Sequence, residues 1–241
     1  MTSVVLVGAG RMGTLIRQTL EADGGFEVVG TYDVANAAEL DEAAPAAELV
    51  IDFSNKASLP HVLAYVERTG AALVSGTTGY TPDELARVKA LGEKTRVIWS
   101  ANYSLGVAVL ARVTREAAAA LAAWDAEIVE THHNQKADAP SGTAKLLLDA
   151  VDPAGECPVA YGREGMVGAR PEREVGMHSL RGGTVAGTHE VHFFGPDEEI
   201  CLTHRATSRE IFVNGAVGAA KRLLARNEPG FYTFDQLMFE N

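Results

Sequence analysis

The densest run of reactive side chains is Glu130-Thr131-His132-His133-Asn134-Gln135-Lys136-Ala137-Asp138-Ala139-Pro140-Ser141-Gly142-Thr143-Ala144. The adjacent histidines offer a proton donor, since an imidazole with a pKa of about 6.5 gives up a proton at little cost near neutral pH. Lys136 supplies a positive charge. Ser141 is a natural helix N-cap and Pro140 fixes the chain before it, so Gly142 and Thr143 open a helix whose free N–H groups favour an anion. Acid, cation and N–H donors together suit a carboxylate-bearing substrate that must be protonated once hydride has arrived. Two other readings compete. Zinc held by His132, His133 and Asp138 is disfavoured, because adjacent histidines project in different directions and no cysteine or fourth ligand is near. The other is a solvated loop that only caps a helix.

A hydride donor has its own candidate site earlier in the chain. Gly8-Ala9-Gly10-Arg11-Met12-Gly13 fits G-x-G-x-x-G, and Asp33 follows 20 residues after Gly13. A glycine hexamer alone is a weak signal, but this one follows a strand, opens a helix and has the acid at the end of the next strand. Gly8 permits the tight turn, Gly10 lets the backbone approach a pyrophosphate, and Gly13 lets helix and strand pack closely. The helix N-terminus adds N–H groups and partial positive charge at the phosphates. Asp33 would accept hydrogen bonds from the adenosine ribose. Its carboxylate repels a 2′-phosphate, so NADH is expected to serve at least as well as NADPH, although Arg11 could reach such a phosphate. A flavin is disfavoured because the chain is short for a flavoprotein with its own substrate domain.

The elements that must position these residues follow from periodicity. Residues 4–7, 27–32, 49–53, 72–75 and 97–100 are short apolar runs that read as strands. Residues 12–23, 59–69 and 82–94 read as helices between them, the last with Thr81 as N-cap and Pro82 in its first turn. Strands buried on both faces and separated by helices imply a doubly wound parallel sheet. Beyond Asn102 the pattern changes. Residues 105–121 form one Ala-rich helix, 126–129 a strand, and 152–174 a Gly- and Pro-rich loop. Residues 175–181, 184–194 and 199–206 read as consecutive antiparallel strands turning at Gly182-Gly183 and Gly195-Pro196-Asp197. A last helix over 209–226 is expected to return to the first domain, and a short apolar tail follows. The expected organisation is a dinucleotide-binding α/β domain over 1–103, completed by 209–241, and a smaller α+β domain with a mainly antiparallel sheet over 104–208.

Composition narrows the class. In 241 residues, 46% are hydrophobic and 22% charged, an ordinary globular balance. No stretch approaches the roughly 20 apolar residues of a membrane helix, and the N-terminus lacks a secretory pattern, so a cytoplasmic protein is expected. A net charge of −11 argues against a nucleic-acid surface but not against a small anionic ligand in a locally basic pocket. Cys157 and Cys201 lack metal-ligand spacing and read as incidental thiols. No metal is expected.

The long motif E-x-H-H-x-x-K-x-D-A-P-S-G-T-A resembles the signature of the 4-hydroxy-tetrahydrodipicolinate (dihydrodipicolinate) reductases, and the resemblance runs through essentially the whole chain. Gly8 to Gly13 resembles the family's glycine loop, one residue shorter than its commoner form. Gly76-Thr77-Thr78-Gly79 resembles its G-T-T-G turn, and Ser100-Ala101-Asn102-Tyr103 its hinge region. Ala206-Thr207-Ser208-Arg209 and Asn214-Gly215-Ala216 resemble late family elements. The resemblance implies NADH- or NADPH-dependent reduction of a cyclic unsaturated dicarboxylate to tetrahydrodipicolinate, in diaminopimelate and lysine biosynthesis. It makes His132 the proton donor, Lys136 its cationic partner and His133 a substrate contact, with the N–H groups of Gly142 and Thr143 on one carboxylate. It also places Gly76, Thr77, Thr78 and Ser100 to Tyr103 along the cofactor, and implies a homotetramer built through the antiparallel sheet. Rival readings are a related amino-acid or diamine dehydrogenase, and a non-catalytic NAD-sensing regulator. Neither explains why a histidine–lysine loop and a helix-start anion site occur together.

Overall fold

The computed structural model describes residues 1–240. They divide into two compact units, one made of Met1–Ser104 and the stretch from Glu210 onward, the other of Leu105–Arg209.

The first unit is a six-stranded sheet with every paired neighbour parallel. Its strands are β1 (Thr2–Val7), β2 (Phe26–Tyr32), β3 (Leu49–Asp52), β4 (Ala72–Ser75), β5 (Arg96–Trp99) and, late in the chain, β11 (Gly230–Tyr232). The order is β11-β5-β4-β3-β1-β2. All four residues of β3 and of β4 are buried, as expected of strands covered by helices on both faces. The helices are α1 (Arg11–Asp23), the short α2 (Glu39–Glu42), α3 (Leu59–Thr69) and α4 (Pro82–Ala90). Thr81 caps α4 in a full capping box with Glu84, and Gly24 and Gly70 end α1 and α3 in left-handed conformations. The expected helix over 82–94 is shorter, because its last turn tightens into a 3-10 segment at Leu91–Glu93. Successive strands leave β1 in opposite directions, so β1 and β3 flank a topological switch point, where open α/β sheets bind ligands outside the carboxyl ends of their strands.

The second unit is built on α5 (Leu105–Ala120), β6 (Asp125–His132) and α6 (Gly142–Val151). It continues through β7 (Val159–Ala160), β8 (Val175–Arg181), β9 (Thr188–Gly195) and β10 (Glu198–Arg205). The sheet order is β10-β9-β6-β8-β7. Here the structure corrects the expected run of consecutive antiparallel strands. Only β9 and β10 form a hairpin; β8 and β9 do not pair, because β6 lies between them, antiparallel to β9 and parallel to β8. The sheet is therefore mixed, and Gly182-Gly183 turns into a longer connection rather than a hairpin. The 152–174 segment carries the two-residue strand β7, which period-based reading is too coarse to see. Alternating burial along β6 sends Ala126 and Ile128 into a core shared with Leu147 of α6 and Phe193 of β9, and it buries Glu130 and His132 as well.

The chain then re-enters the first unit as α7 (Glu210–Leu224), packed against α1, and ends in β11 and α8 (Phe234–Phe239). The expected apolar tail is thus an edge strand beside β5 and a helix capped by Thr233. Among the described residues no helix is long and apolar enough to cross a membrane.

Candidate active site

In the first unit the glycine loop has the geometry its spacing implies. Gly8 has φ of +116°, and a Cβ there would lie 2.4 Å from the Phe53 carbonyl oxygen. A Cβ on Gly13 would lie 1.7 Å from the Gly8 oxygen, so only glycine lets α1 start this close to β1. Gly10, the α1 N-cap, has nothing within 4 Å of its Cβ position and offers no capping side chain. The first-turn N–H groups of Arg11, Met12 and Gly13 are therefore available to an outside acceptor. Ala9, Gly10 and Arg11 are exposed, Met12 is half-buried and Gly13 buried. These features fit a phosphate group at the helix start. Asp33 follows β2 directly, half-buried, with one carboxylate oxygen accepting from the Ala35 N–H at 2.8 Å.

The 76–79 turn follows β4. Gly76 donates its N–H to the Asp52 carbonyl at 2.8 Å, Thr77 is buried, and Thr78 is exposed. After β5, Ser100 and Asn102 are half-buried and Ala101 exposed, while the fully buried Tyr103 donates its hydroxyl to the Ser75 carbonyl at 2.8 Å. Two of the four hinge residues thus hold one another: the Ser100 hydroxyl donates to the Asn102 carbonyl and accepts from the Asn102 N–H.

In the second unit the structure adds partners to the histidine segment. His132 ends β6, 9% exposed, and its Nδ1 lies 2.5 Å from Glu130 Oε2. Glu130 is fully buried and receives both Arg181 guanidinium nitrogens, Nη1 on Oε2 at 2.9 Å and Nη2 on Oε1 at 2.8 Å. The Ser141 N–H also donates to Glu130, at 3.2 Å. Burial pushes the Glu130 carboxyl up, but Arg181, Ser179 and His132 hold it at about 2, so it stays charged. Glu130 therefore accepts the Nδ1 proton of His132 and fixes the ring, which leaves Nε2 as the nitrogen that exchanges protons. Gly187 makes room beside it, since a Cβ there would lie 3.0 Å from His132 Nε2. Burial moves the His132 pKa below its ordinary value, and Glu130 partly offsets that.

His189, 4% exposed, stands edge-on to His132 with ring centroids 5.1 Å apart, and its Nε2 lies 3.1 Å from Ser141 Oγ. Burial lowers it to about 4, so it is neutral at neutral pH. Ser141 caps α6 by accepting from the Ala144 N–H, which leaves the exposed Gly142 and half-buried Thr143 as the opening residues of that helix. Lys136 pairs with Asp138 at 2.7 Å, and the half-buried His133 has its Nε2 3.2 Å from Arg209. Among the described residues no group of three or more His, Cys, Asp or Glu side chains is placed to hold a metal.

Sequence reading missed the roles of Glu130, Arg181 and His189. Glu130 was legible, because residues two apart on a strand share a face with each other and hence with His132. Arg181 reaches the site through the parallel β6–β8 register, which pairs it with His132, and nothing local signals that.

Comparison with known proteins places the chain in a family. Residues 2–103 match the family described as "Dihydrodipicolinate reductase, N-terminus", and residues 106–238 match its "C-terminus" counterpart. A 4-hydroxy-tetrahydrodipicolinate reductase of Anaeromyxobacter dehalogenans is 42% identical over 96% of this chain and 96% of its own. One of Akkermansia muciniphila is 41% identical over 99% and 98%. Among solved structures, a dipicolinate-bound dihydrodipicolinate reductase from Paenisporosarcina sp. TG-14 superposes with a TM-score of 0.76, covering 97% of each chain at 20% identity, which speaks for the fold. The chain belongs to the dihydrodipicolinate reductase family.

Proposed function

We propose that this chain reduces dihydrodipicolinate, formed from 4-hydroxy-tetrahydrodipicolinate, to tetrahydrodipicolinate in diaminopimelate and lysine biosynthesis, using NADH or NADPH. The observation that carries the reading is the anchored acid: His132 is held through Nδ1 by a charged, buried Glu130, while among the described residues Nε2 has no hydrogen-bond partner. When bound, the nicotinamide supplies hydride, and the substrate carbon that does not receive hydride takes its proton from His132 Nε2. The depressed pKa of the free site works against the acid form, and a dicarboxylate beside the ring pushes it back up. Lys136 balances the negative charge of the substrate. The N–H groups of Gly142 and Thr143, at the start of α6, hold one carboxylate, and His133 contacts the ligand.

On the cofactor side, Gly8, Ala9, Gly10, Arg11, Met12 and Gly13 receive the pyrophosphate and Asp33 the adenosine ribose. Gly76, Thr77, Thr78, Ser100, Ala101, Asn102 and Tyr103 line the nicotinamide end. Asp33 disfavours a 2′-phosphate, so NADH is at least as good a donor as NADPH. Exposed Leu180 and Phe194 on the five-stranded sheet support assembly of four copies through that sheet, which light scattering tests.

Steady-state oxidation of NADH and of NADPH with the cyclic dicarboxylate tests the reading. Turnover with NADH at a kcat/KM equal to or above that for NADPH is expected. Cofactor binding without turnover points to a sensor, turnover of an amino acid alone to a dehydrogenase, and a strong NADPH preference overturns the role given to Asp33.

A further inference from the structure

The end of β3 carries a second buried carboxylate that none of the chemistry above uses. Asp52 is 1% exposed, and among the described residues the hydrogen-bond partners of its carboxylate are all neutral hydroxyls. Ser54 Oγ and Thr77 Oγ1 donate to Oδ1 at 2.5 and 2.9 Å, while Ser75 Oγ and Tyr80 OH donate to Oδ2 at 2.8 and 3.1 Å. Two donors on each oxygen fill the acceptor capacity of a carboxylate. Thr77 Oγ1 also accepts from the Ser54 N–H at 2.9 Å, which commits its own proton to Asp52.

The backbone around Asp52 forms the seam between two loops. Phe53 donates its N–H to the Val7 carbonyl at 2.9 Å, just before the glycine loop, and Gly8 packs on the Phe53 carbonyl. On the other side, Gly76 donates to the Asp52 carbonyl, and a Cβ on Gly76 would lie 2.3 Å from the Phe53 ring. The Trp99 indole N–H closes the turn from outside by donating to the Thr77 carbonyl at 2.8 Å. Asp52, the last residue of β3, is reached by side chains from just beyond β3 (Ser54), from β4 (Ser75), from the turn (Thr77) and from the residue after it (Tyr80).

We propose that Asp52 is a positioning residue for the cofactor: its carboxylate clamps the Gly76–Thr78 turn against the glycine loop while touching no ligand itself. The proposal rests on the reading of those two loops as cofactor segments. Asparagine has the same shape but one acceptor oxygen, so two of the four hydroxyl protons lose their acceptor and the turn loses its fixed position. Binding that depends on pre-organised groups weakens when those groups must be ordered by the ligand.

The test is fluorescence titration of the full chain with NADH. Asp52→Asn is expected to raise Kd about tenfold, with the KM for the dicarboxylate within about twofold of wild type. Tyr80→Phe, which deletes one donor and keeps the fold if Asp52→Asn does not, is expected to raise Kd about threefold. Leu63→Ala, a core truncation in α3, lowers the melting temperature without touching this network and is expected to leave Kd unchanged. Asp52→Asn and Tyr80→Phe within twofold of wild type, or an equal rise in Leu63→Ala, overturns the positioning role. A wild-type chain that binds neither NADH nor NADPH overturns the reading of the loops, and the proposal with it.

Discussion

Asp52 and Glu130 are both buried carboxylates, one on a strand of each unit, and their environments move them in opposite directions. Around Asp52 there are four hydroxyls, and burial prevails over their hydrogen bonds, so its pKa is raised. Around Glu130 burial also pushes upward, but a guanidinium fork and an imidazole outweigh it and hold the carboxyl at about 2. Burial is thus the shared cost, and the charge of the partner decides the outcome. Neutral donors give geometry, which suits a group that positions a turn. Cationic donors give geometry and a permanent negative charge, which suits a group that orients an acid.

Removing the cation that distinguishes the two should have the largest effect. Arg181→Ala leaves Glu130 charged and buried with only His132 and backbone or hydroxyl donors, and is expected to cost about 3–5 kcal/mol of stability in urea unfolding. A loss below about 1 kcal/mol would show that the fork is not what keeps Glu130 ionised.

The next effect is a pH dependence that arises in the second unit. His189 is neutral in the fold with a pKa of about 4, below its unfolded value of 6.5, so its contribution is present above pH 6.5 and lost as pH falls towards 4. The loss amounts to about 3 kcal/mol over that window. Glu130, also depressed, adds its loss only below 4.5. Asp52 has the opposite sign: its raised pKa makes its contribution largest at low pH, and that contribution declines as pH rises. The urea midpoint is therefore expected to fall between pH 6.5 and 4, and His189→Gln to flatten that fall. A slope unchanged in the variant assigns the acid sensitivity elsewhere.

The smallest of these effects belongs to Lys136, whose ion-pair partner Asp138 is itself exposed. Lys136→Ala is expected to lower kcat and raise the dicarboxylate KM, each by about tenfold, through loss of one charge-assisted contact. A change confined to cofactor affinity would contradict its place on the substrate side.

The contrast between the two carboxylates also marks what the sequence could convey. Gly8, Gly13 and Asp33 were legible because the fingerprint is local: turn, close approach and acid follow one another along one strand–helix–strand stretch. The cap at Ser141 was legible for the same reason. The partners of Glu130 were not, since Arg181 arrives by a parallel register 51 residues away. The order of the second sheet was hidden in the same way. Turn signals at Gly182-Gly183 suggested a hairpin, and only the insertion of β6 between β8 and β9 excludes it. Asp52 lay unremarked inside the apolar run over 49–53, because its four hydroxyl partners are spread from Ser54 to Tyr80.

His132 is the proton donor on which the proposed reaction depends, and the turnover number of His132→Ala with NADH and the cyclic dicarboxylate tests that directly. A fall of about 10²–10⁴-fold, with the NADH Kd unchanged, is the expected result. Turnover equal to that of wild type would contradict the assignment and leave the Glu130–Arg181 pair as a feature of the fold alone.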